Sequence, residues 1–537
     1  MPVYALKSIL AAALWLSAPA PSAQPPARAG GPAFETSDRC LACHNGLHTS
    51  AGEDISIGFQ WSASMMANSA RDPYWQAGVR RETLDHPSAA QAIEAECSIC
   101  HMPMARYEAW LAGGEGQVFA HTQFDPGVRA DRLAADGVSC SLCHQIAPDK
   151  LGARESFVGR FVIAPGAAGL RTAFGRFAVD AGRARIMSSS SGFRPTQSEH
   201  VRKSELCATC HTLYTHSLDR AGKVLAEFPE QVPYQEWLHS DYRQGRGCQD
   251  CHMPAVSGPA PIAAVLGQPR EGVARHSFPG GNFFLQRLLN RFRNELAVAA
   301  APQALEGAAL RTLEHLGSEA ARLSIENVHL RGGRLEADIR AENLGGHKLP
   351  TAYPSRRVWL HLLVRDGGGR VVFESGALTA EGAIQGNDND ADPRRWEPHY
   401  REIRSAEQVQ IYEAVMGDSS GAPTTGLLSA VRYLKDNRLL PRGFNKRTAD
   451  KDIAVWGEAA EDEDFTGGGD RLHMSVAVAR AEGPLRIEAE LWYQPIAYRW
   501  AANLAPYQTA ETRRFARYFQ LMAPDSAAVL ARASATQ

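Results

Sequence analysis

Five copies of one five-residue word contain every cysteine of the chain. Each word reads Cys-x-x-Cys-His, and the five begin at Cys40, Cys97, Cys140, Cys207 and Cys248. This pattern is the attachment signal for c-type haem. The two thiols add across the two vinyl groups of the porphyrin, and the adjacent histidine coordinates the iron. Because no cysteine of the ten is left over, the sequence predicts five covalent haem c groups.

Each word supplies two thioether positions and one proximal iron ligand. The predicted thioether residues are Cys40, Cys43, Cys97, Cys100, Cys140, Cys143, Cys207, Cys210, Cys248 and Cys251. The predicted proximal ligands are His44, His101, His144, His211 and His252. Other uses of paired cysteines fit poorly, because structural zinc takes four ligands and disulfide frameworks belong to small, cysteine-dense chains.

The ligand on the second face of each iron decides what a haem can do. A strong second ligand gives a low-spin electron relay, whereas an open face gives a candidate catalyst. The candidate distal ligands are His276, His200, His347, His121, His86 and Met65. For each of them the alternative is an ordinary packing or surface role, and a methionine at helical spacing is more often core.

Two of these candidates lie in loops with a distinctive sequence. His276 belongs to a tight turn with the sequence RHSFPGGN, just after the last cysteine word. His347 lies far downstream, in the sequence NLGGHKLPT, where glycines allow close backbone approach. If His347 reaches a haem, the C-terminal half of the chain completes the redox site.

The first residues are typical of an exported chain. Lys7, the apolar run 8–16 and small residues before position 24 predict a signal peptide over residues 1–23. A flexible segment over 24–35 follows. The apolar run is shorter than the ~20 residues that span a bilayer. We therefore expect a periplasmic or extracellular protein with no integral membrane span after cleavage.

The chain predicts an α+β multidomain protein with two chemically different halves. Residues 36–282 form a mostly helical and loop-rich pentahaem cytochrome c domain, because all the haem words lie there. A helical connector over 283–318 leads to an antiparallel β-sandwich-like domain over 319–525, and residues 526–537 are a C-terminal tail. The net charge of −2 argues against a nucleic-acid partner, so the expected partners are other redox proteins.

Local patterns predict the individual elements. Residues 58–84 and 283–297 have helical spacing, and 426–440 resembles a helix inserted in the second half. Three strand pairs are predicted as hairpins around glycine-containing turns. They span 323–339, 357–373 and 473–493.

Phrases around the haem words resemble multihaem c-type cytochromes. The haem domain, over about 36–290, is similar to the tetrahaem cytochrome family of ammonia-oxidising bacteria. The phrases are SELCATCH at 204–211, CQDCHMP at 248–254 and YQEWLHS at 234–240. A fifth haem and the long C-terminal domain depart from that family. In these two features the chain resembles larger extracytoplasmic multihaem cytochromes that have a C-terminal β-sandwich. That β-sandwich contains the sequence GHKLPT, which lies at 346–351 in this chain.

The resemblance implies electron transfer along closely packed haems, and it names no physiological partner. Two alternatives stay open. One is a reductase or oxidase of a small nitrogen or sulfur compound at a five-coordinate haem. The other is a subunit of an extracellular haem assembly, in which the chain associates with copies of itself.

Covalent attachment is directly testable. Acidified acetone should leave the colour on the protein, because thioether bonds survive it. Replacing both thiols of the third word, C140S with C143S, should remove about one fifth of the covalent haem. The measurement is the haemochrome absorbance of the denatured protein. The substitutions S188A and S189A, outside every word, should remove none, and complete extraction of colour from the unmodified protein would refute attachment.

Overall fold

The computed structural model describes residues 32–166, 169–478 and 481–537. The predicted signal peptide and residues 24–31 of the predicted flexible segment lie outside these ranges. Within them, none of the helices has both the length and the apolar character that a membrane crossing requires.

The described residues contain sixteen α-helices, most of them short. They are α1 (Asp38–Leu41), α2 (Ile57–Ser62), α3 (Pro73–Asp85), α4 (Ala90–His101), α5 (Pro103–Leu111), α6 (Arg129–Ala135), α7 (Cys140–Cys143), α8 (Ala181–Ser191), α9 (Ser204–Ala208), α10 (Pro233–Leu238), α11 (Cys248–His252), α12 (Phe283–Arg291), α13 (Pro302–His315), α14 (Asp388–Ala391), α15 (Tyr498–Ala502) and α16 (Ala510–Met522).

Fifteen strands are present in the same residues, most of them in the second half. They are β1 (Arg171–Gly175), β2 (Phe193–Gln197), β3 (Leu213–Leu218), β4 (Val224–Gln231), β5 (Ala321–Arg331), β6 (Arg334–Asn343), β7 (Arg357–Arg365), β8 (Val371–Ser375), β9 (Glu402–Ile403), β10 (Ile411–Gly417), β11 (Pro423–Thr424), β12 (Arg432–Asp436), β13 (Gly469–Ala477), β14 (Arg486–Gln494) and β15 (Ala528–Thr536).

Every cysteine word lies in or against a helical turn. Helices α4, α7 and α11 contain the second, third and fifth words or most of them, and α1 and α9 begin the first and fourth. Residues three and four apart share one face of a helix. The helical turn therefore directs both thiols and the following histidine toward the same side.

The second half is built from two sheets that share one hydrophobic core. The larger has the strand order β11-β10-β7-β14-β15, with β12 beside β10 and β8 beside β7. The smaller has the order β5-β6-β13-β9, in which β9 alone pairs in parallel. Alternate side chains of both sheets are buried in the same cluster, including Leu335 and Ile339 of β6 and Leu360 and Leu362 of β7. Helices and antiparallel sheets together give the predicted α+β class.

Two of the three predicted hairpins are confirmed. Strands β5 and β6 pair around Gly332 and Gly333, and β7 pairs with β8. The third prediction is wrong. Strand β13 pairs with β6, and β14 pairs with β7 and β15, so the two strands enter different sheets.

Two helix predictions need correction. Residues 426–440 contain β12, which pairs with β10. The predicted helix over 58–84 is broken into α2 and α3, because Asp72 caps α3 by accepting from Tyr74 N and Trp75 N, with Pro73 at the first helical position.

The end of the chain returns to the cysteine-bearing half. Helix α16 packs on α3, where Glu511 pairs with Arg80 at 2.9 Å and the rings of Phe515 and Tyr74 lie 5.0 Å apart. Residues 528–536 lie in the predicted C-terminal tail over 526–537, and they form β15 along β14. The two halves therefore share contacts well beyond the connector.

Burial in the sheets predicts a clear difference between two leucines. Leu491 of β14 is fully buried, whereas Leu330 at the end of β5 is 50% exposed. L491A should lower the free energy of unfolding by about 2–5 kcal/mol, and L330A should change it by about 0.5 kcal/mol or less. Chemical denaturation of both variants measures this, and equal effects would contradict the described core.

Candidate functional site

One cavity of about 1570 Å³ connects all five cysteine words. Its lining includes both cysteines and the histidine of every word. Small-molecule pockets usually measure about 300–1,000 Å³, so this space is larger than a single ligand site. The structure thus brings together all fifteen predicted attachment and proximal residues around one continuous interior.

The histidines of four words are oriented by backbone carbonyl groups. The Nδ1–H of His44 donates to Ile262 O at 2.5 Å, and that of His144 donates to Phe174 O at 2.6 Å. His252 Nδ1 lies 2.6 Å from Pro279 O, and His101 Nδ1 lies 3.1 Å from Ser69 O. Since a carbonyl only accepts, the proton is on Nδ1, and the Nε2 lone pair is available to a metal.

Burial keeps the imidazoles of four words, the second to the fifth, neutral. It lowers the pKa of His101 and of His211 to about 4, and it also lowers the pKa of His144 and His252. A histidine must be unprotonated at the ligating nitrogen to bind a metal. The neutral state of these four residues therefore fits the proximal ligation of haem iron.

The ring of His101 has a second restraint. It stacks on the indole of Trp75, with ring centres 4.3 Å apart and planes 4° from parallel. The carbonyl of Ser69 and the face of Trp75 together fix the orientation of this imidazole. Nothing in the sequence around Trp75 indicates this role.

Two predicted distal candidates face proximal histidines at the spacing that a shared iron requires. A metal-bound imidazole nitrogen lies about 2.0–2.1 Å from its metal, so two imidazoles on one iron have ring centres about 6 Å apart. His276 lies 6.5 Å from His144, with planes 24° apart. His347 lies 6.3 Å from His252, with planes 9° apart.

The loop that carries His347 is held by hydrogen bonds among its own residues. Asn343 Nδ2 donates to His347 O at 2.7 Å, and Asn343 Oδ1 accepts from Gly345 N at 2.8 Å. The Nδ1–H of His347 donates to Lys348 O at 3.0 Å. This leaves Nε2 available, as in the proximal histidines.

Four buried charged side chains lock this loop against the cysteine-bearing half. Lys348 Nζ lies 2.7 Å from Asp436 Oδ2, and the Lys348 amide donates to Glu236 Oε2 at 3.1 Å. Arg438 pairs with both Asp436, at 2.7 Å, and Glu236, at 3.0 Å. Glu236 belongs to α10, which precedes the fifth word, while Asp436 belongs to β12. Two cations and two anions balance, so the buried cluster is neutral.

Of the four remaining distal candidates, only Met65 lies at the cavity. The ring of His200 uses both nitrogens, with Nε2 2.8 Å from Ile146 O and Nδ1 2.7 Å from Ser198 Oγ.

The rings of His121 and His86 hydrogen-bond to other residues of the chain. The Nδ1–H of His121 donates to Asp131 at 2.8 Å, and His86 lies 3.4 Å from Asp219 O. Neither of these residues nor His200 is among the residues that line the cavity. The structure therefore does not bring these three to the haem space.

Sequence reasoning missed one histidine of the cavity. His315, the last residue of α13, lines the cavity with its ring centre 6.1 Å from that of His252. Its plane is inclined by 59° to that of His252, against 9° for His347. The local sequence of an alanine-rich helix gives no signal for such a position.

A second group of ligand-type residues lies in the sheet half. His399, Asp462 and Asp470 are buried, and their ligand atoms lie within 4.8 Å of one another. His399 Nδ1 accepts from Gln410 Nε2 at 2.9 Å and from Asn437 Nδ2 at 3.1 Å.

The orientation of these two amides argues against a metal. Gln410 Oε1 accepts from Tyr400 N at 2.8 Å, and Asn437 Oδ1 accepts from Glu413 N at 3.0 Å. Both amide NH₂ groups must therefore point at His399 Nδ1, which leaves the ring proton on Nε2. That proton is donated to Asp462 at 3.0 Å, so no lone pair of this imidazole is free for a cation.

Comparison with known proteins finds one similar fold and no similar sequence. No protein-family model matches the sequence, and no curated protein matches it. The chain is similar in structure to a penta-haem cytochrome c552 from Thermochromatium tepidum, at a TM-score of 0.52 and 15% sequence identity. The two proteins share a fold. The likeness covers 94% of this chain and 99% of the other.

The shared fold and the five words point to the same cofactor. All ten cysteines are paired in attachment words around one cavity, and the structural neighbour is a penta-haem cytochrome. Together these observations support five covalently bound haem c groups. The finer resemblance to the tetrahaem family of ammonia oxidisers stays a prediction.

The buried ion cluster predicts a strong effect of one carboxylate. E236Q keeps the volume of the side chain but leaves Lys348 and Arg438 with a single buried anion. It should lower the free energy of unfolding by about 3–5 kcal/mol. The matched control E306Q breaks a pair with Arg287 whose side chains are 44% and 30% exposed, and it should cost about 0–1 kcal/mol. Denaturant unfolding measures both, and equal costs would contradict the cluster.

Proposed function

We propose that the protein is an exported pentahaem c-type cytochrome that carries electrons between other redox proteins. The single observation that carries this proposal is the continuous cavity, which joins all five attachment words. A set of separate pockets would support five independent cofactors. One shared interior supports cofactors close enough to exchange electrons.

The chain itself binds, orients and insulates the cofactor. Each haem c supplies a one-electron iron couple whose potential depends on its axial ligands and surroundings. The paired thiols anchor the macrocycles, and the carbonyl groups of residues 69, 174, 262 and 279 hold the proximal imidazoles in one tautomer. Burial lowers the pKa of His101, His144, His211 and His252 and keeps these four imidazoles unprotonated.

Two distal assignments follow from the ring geometry. His276 would hold one iron together with His144, and His347 would hold another together with His252. Met65 is the candidate for a third iron because it lines the cavity. Paired imidazoles give low-spin haems, which relay electrons and leave no open face for a substrate.

The sheet half has a structural part in this function. We interpret its two sheets as a β-sandwich-like domain that presents His347 to the fifth word. The buried cluster of Glu236, Lys348, Asp436 and Arg438 sets the position of that loop. Removal of the sheet half would therefore leave the fifth haem without its distal imidazole.

Ligand replacement tests the carrier function against the catalytic alternative. Carbon monoxide binds a reduced haem only at an open face, so the intact protein should bind little. H276A and H347A should each open one haem and add about one carbon monoxide per molecule. The control H200A should add none, because both ring nitrogens of His200 are engaged by the protein.

The outcomes separate the candidate functions. A largely low-spin paramagnetic-resonance spectrum supports the carrier. A majority of high-spin haem, or carbon monoxide binding by the intact protein, would favour a reductase or oxidase of a small nitrogen or sulfur compound. An intact monomer that lacks one internal distal ligand, supplied only when chains associate, would favour the assembly subunit.

A further inference from the structure

Helix α8 forms one wall of the cavity and has solvent on its other side. It is eleven residues long, and none of its residues is buried. Five of its residues line the cavity, and they are three or four positions apart, namely Arg183, Ile186, Met187, Ser190 and Ser191. Arg185 does not line the cavity and is exposed, because a residue two positions from Arg183 lies on the opposite side of a helix. The cavity is therefore separated from solvent here by the thickness of one helix.

The first attachment word lies between α8 and residues 262–266. On one side, Ala264 N donates to Cys43 O at 2.8 Å. On the other side, the guanidinium of Arg39, the residue before Cys40, donates to Ser190 O of α8 at 3.5 Å. Among the segments around the cavity, these two therefore flank the first word directly.

Exposed apolar side chains surround the opening of the cavity at this wall. Leu266, Val265 and Ile186 line the cavity and are 60%, 52% and 43% exposed. Arg183 Nε donates to Leu266 O at 2.7 Å, which joins the helix to the loop. These apolar side chains give a partner protein a surface to pack on beside the first word.

The segment around α8 is strongly basic. Residues 171–203 contain seven basic and two acidic residues, although the whole chain has a net charge of −2. Both acids are already paired, Asp180 with Arg183 and Glu199 with Arg202. The segment therefore keeps an excess of positive charge.

Two arginines hold part of this charge at the outer surface. Arg185 lies on the outer side of α8, and Arg194 is exposed in β2, where its neighbour Phe193 lines the cavity. Successive side chains of a strand point to opposite faces, so Arg194 points away from the cavity. Unlike the paired arginines of the segment, neither forms an ion pair with a residue in the described ranges. Because both point away from the space for the porphyrins, porphyrin carboxylates leave these two charges unneutralised.

We propose that α8, Arg194 and residues 262–266 form a docking surface for an acidic one-electron redox protein, which exchanges electrons with the haem of the first word. The inference rests on the proposed carrier function and adds the place and the charge of a partner. In each exchange one electron crosses, so one haem iron changes between Fe(III) and Fe(II) while the centre of the partner changes by one electron in the opposite sense. A small apolar contact within complementary charge suits the brief encounters of redox proteins.

Electron-transfer kinetics test the charge of this surface. The probe is a reduced plant-type [2Fe–2S] ferredoxin, a strongly acidic one-electron protein, mixed rapidly with the oxidised holoprotein. The second-order rate of haem reduction should fall about tenfold between about 0.02 and 0.5 M salt, because salt screens exposed charges. The double variant R185E with R194E should lower the low-salt rate about tenfold and leave the high-salt rate within about twofold, since two attractive charges become repulsive.

The matched control reverses an arginine on the sheet half. Arg331, the last residue of β5, is exposed and forms no ion pair within the described ranges. R331E should keep the low-salt rate within about twofold, and haemochrome absorbance checks that all three proteins hold the same haem. Equal rates in the double variant and R331E would overturn the docking surface and leave the carrier function standing. Haems that dithionite reduces but that exchange no electrons with ferredoxin at any salt would count against the carrier function itself.

Hydrogen exchange on the unmodified holoprotein gives a second readout. Oxidised ferredoxin at low salt should slow amide exchange in residues 181–191 and 262–268 and leave residues 328–335 unchanged, and high salt should abolish the effect. Protection elsewhere, with none in α8, would overturn the assignment. Protection by phosphatidylglycerol vesicles but not by ferredoxin would also overturn it, and would assign the surface to a lipid membrane.

Discussion

A buried histidine that binds a metal through Nε2 must donate its Nδ1–H to an acceptor, and this constraint determines which loops line the cavity. In four of the five words the Nδ1–H finds a backbone carbonyl, and each carbonyl comes from a segment far away in sequence. Ile262 serves His44, and Phe174 serves His144. The loops around the cavity are therefore held in place by the cofactor ligands, and those ligands are held by the loops. Long loops and short helices suffice because the enclosed groups, once attached, complete the core.

Buried ion pairs join the two halves of the chain. Glu236 and Asp436 come from different halves and share Lys348 and Arg438. Separating the halves would expose or unpair four buried charges, which is far costlier than breaking a surface ion pair. The sheet half thus contributes to the cavity, since the same residues fix the His347 loop, which lines it.

Much of the local structure follows from the sequence because it depends on neighbours in the chain. The hairpin at Gly332 and Gly333 and the capped start at Asp72 and Pro73 have short-range causes. The predicted hairpin of β13 and β14 is wrong for a different reason. Both strands are recognisable, but their pairing is decided by which sheet edge is available, and a turn sequence at Gly483 carries no information about that. The segment that contains β12 has helical spacing, but it pairs with β10, because tertiary pairing overrides local periodicity.

The sequence by itself determined the cofactor chemistry, since thioether formation and proximal ligation need only five consecutive residues. The tertiary structure decided what joins one word to another: the shared cavity and the histidines that face His144 and His252. Distal candidates show the division clearly. His276 and His200 are both candidates in the sequence, yet His276 faces His144, whereas both ring nitrogens of His200 hydrogen-bond to protein groups. Such differences arise from contacts between residues distant in the chain, which local spacing does not encode.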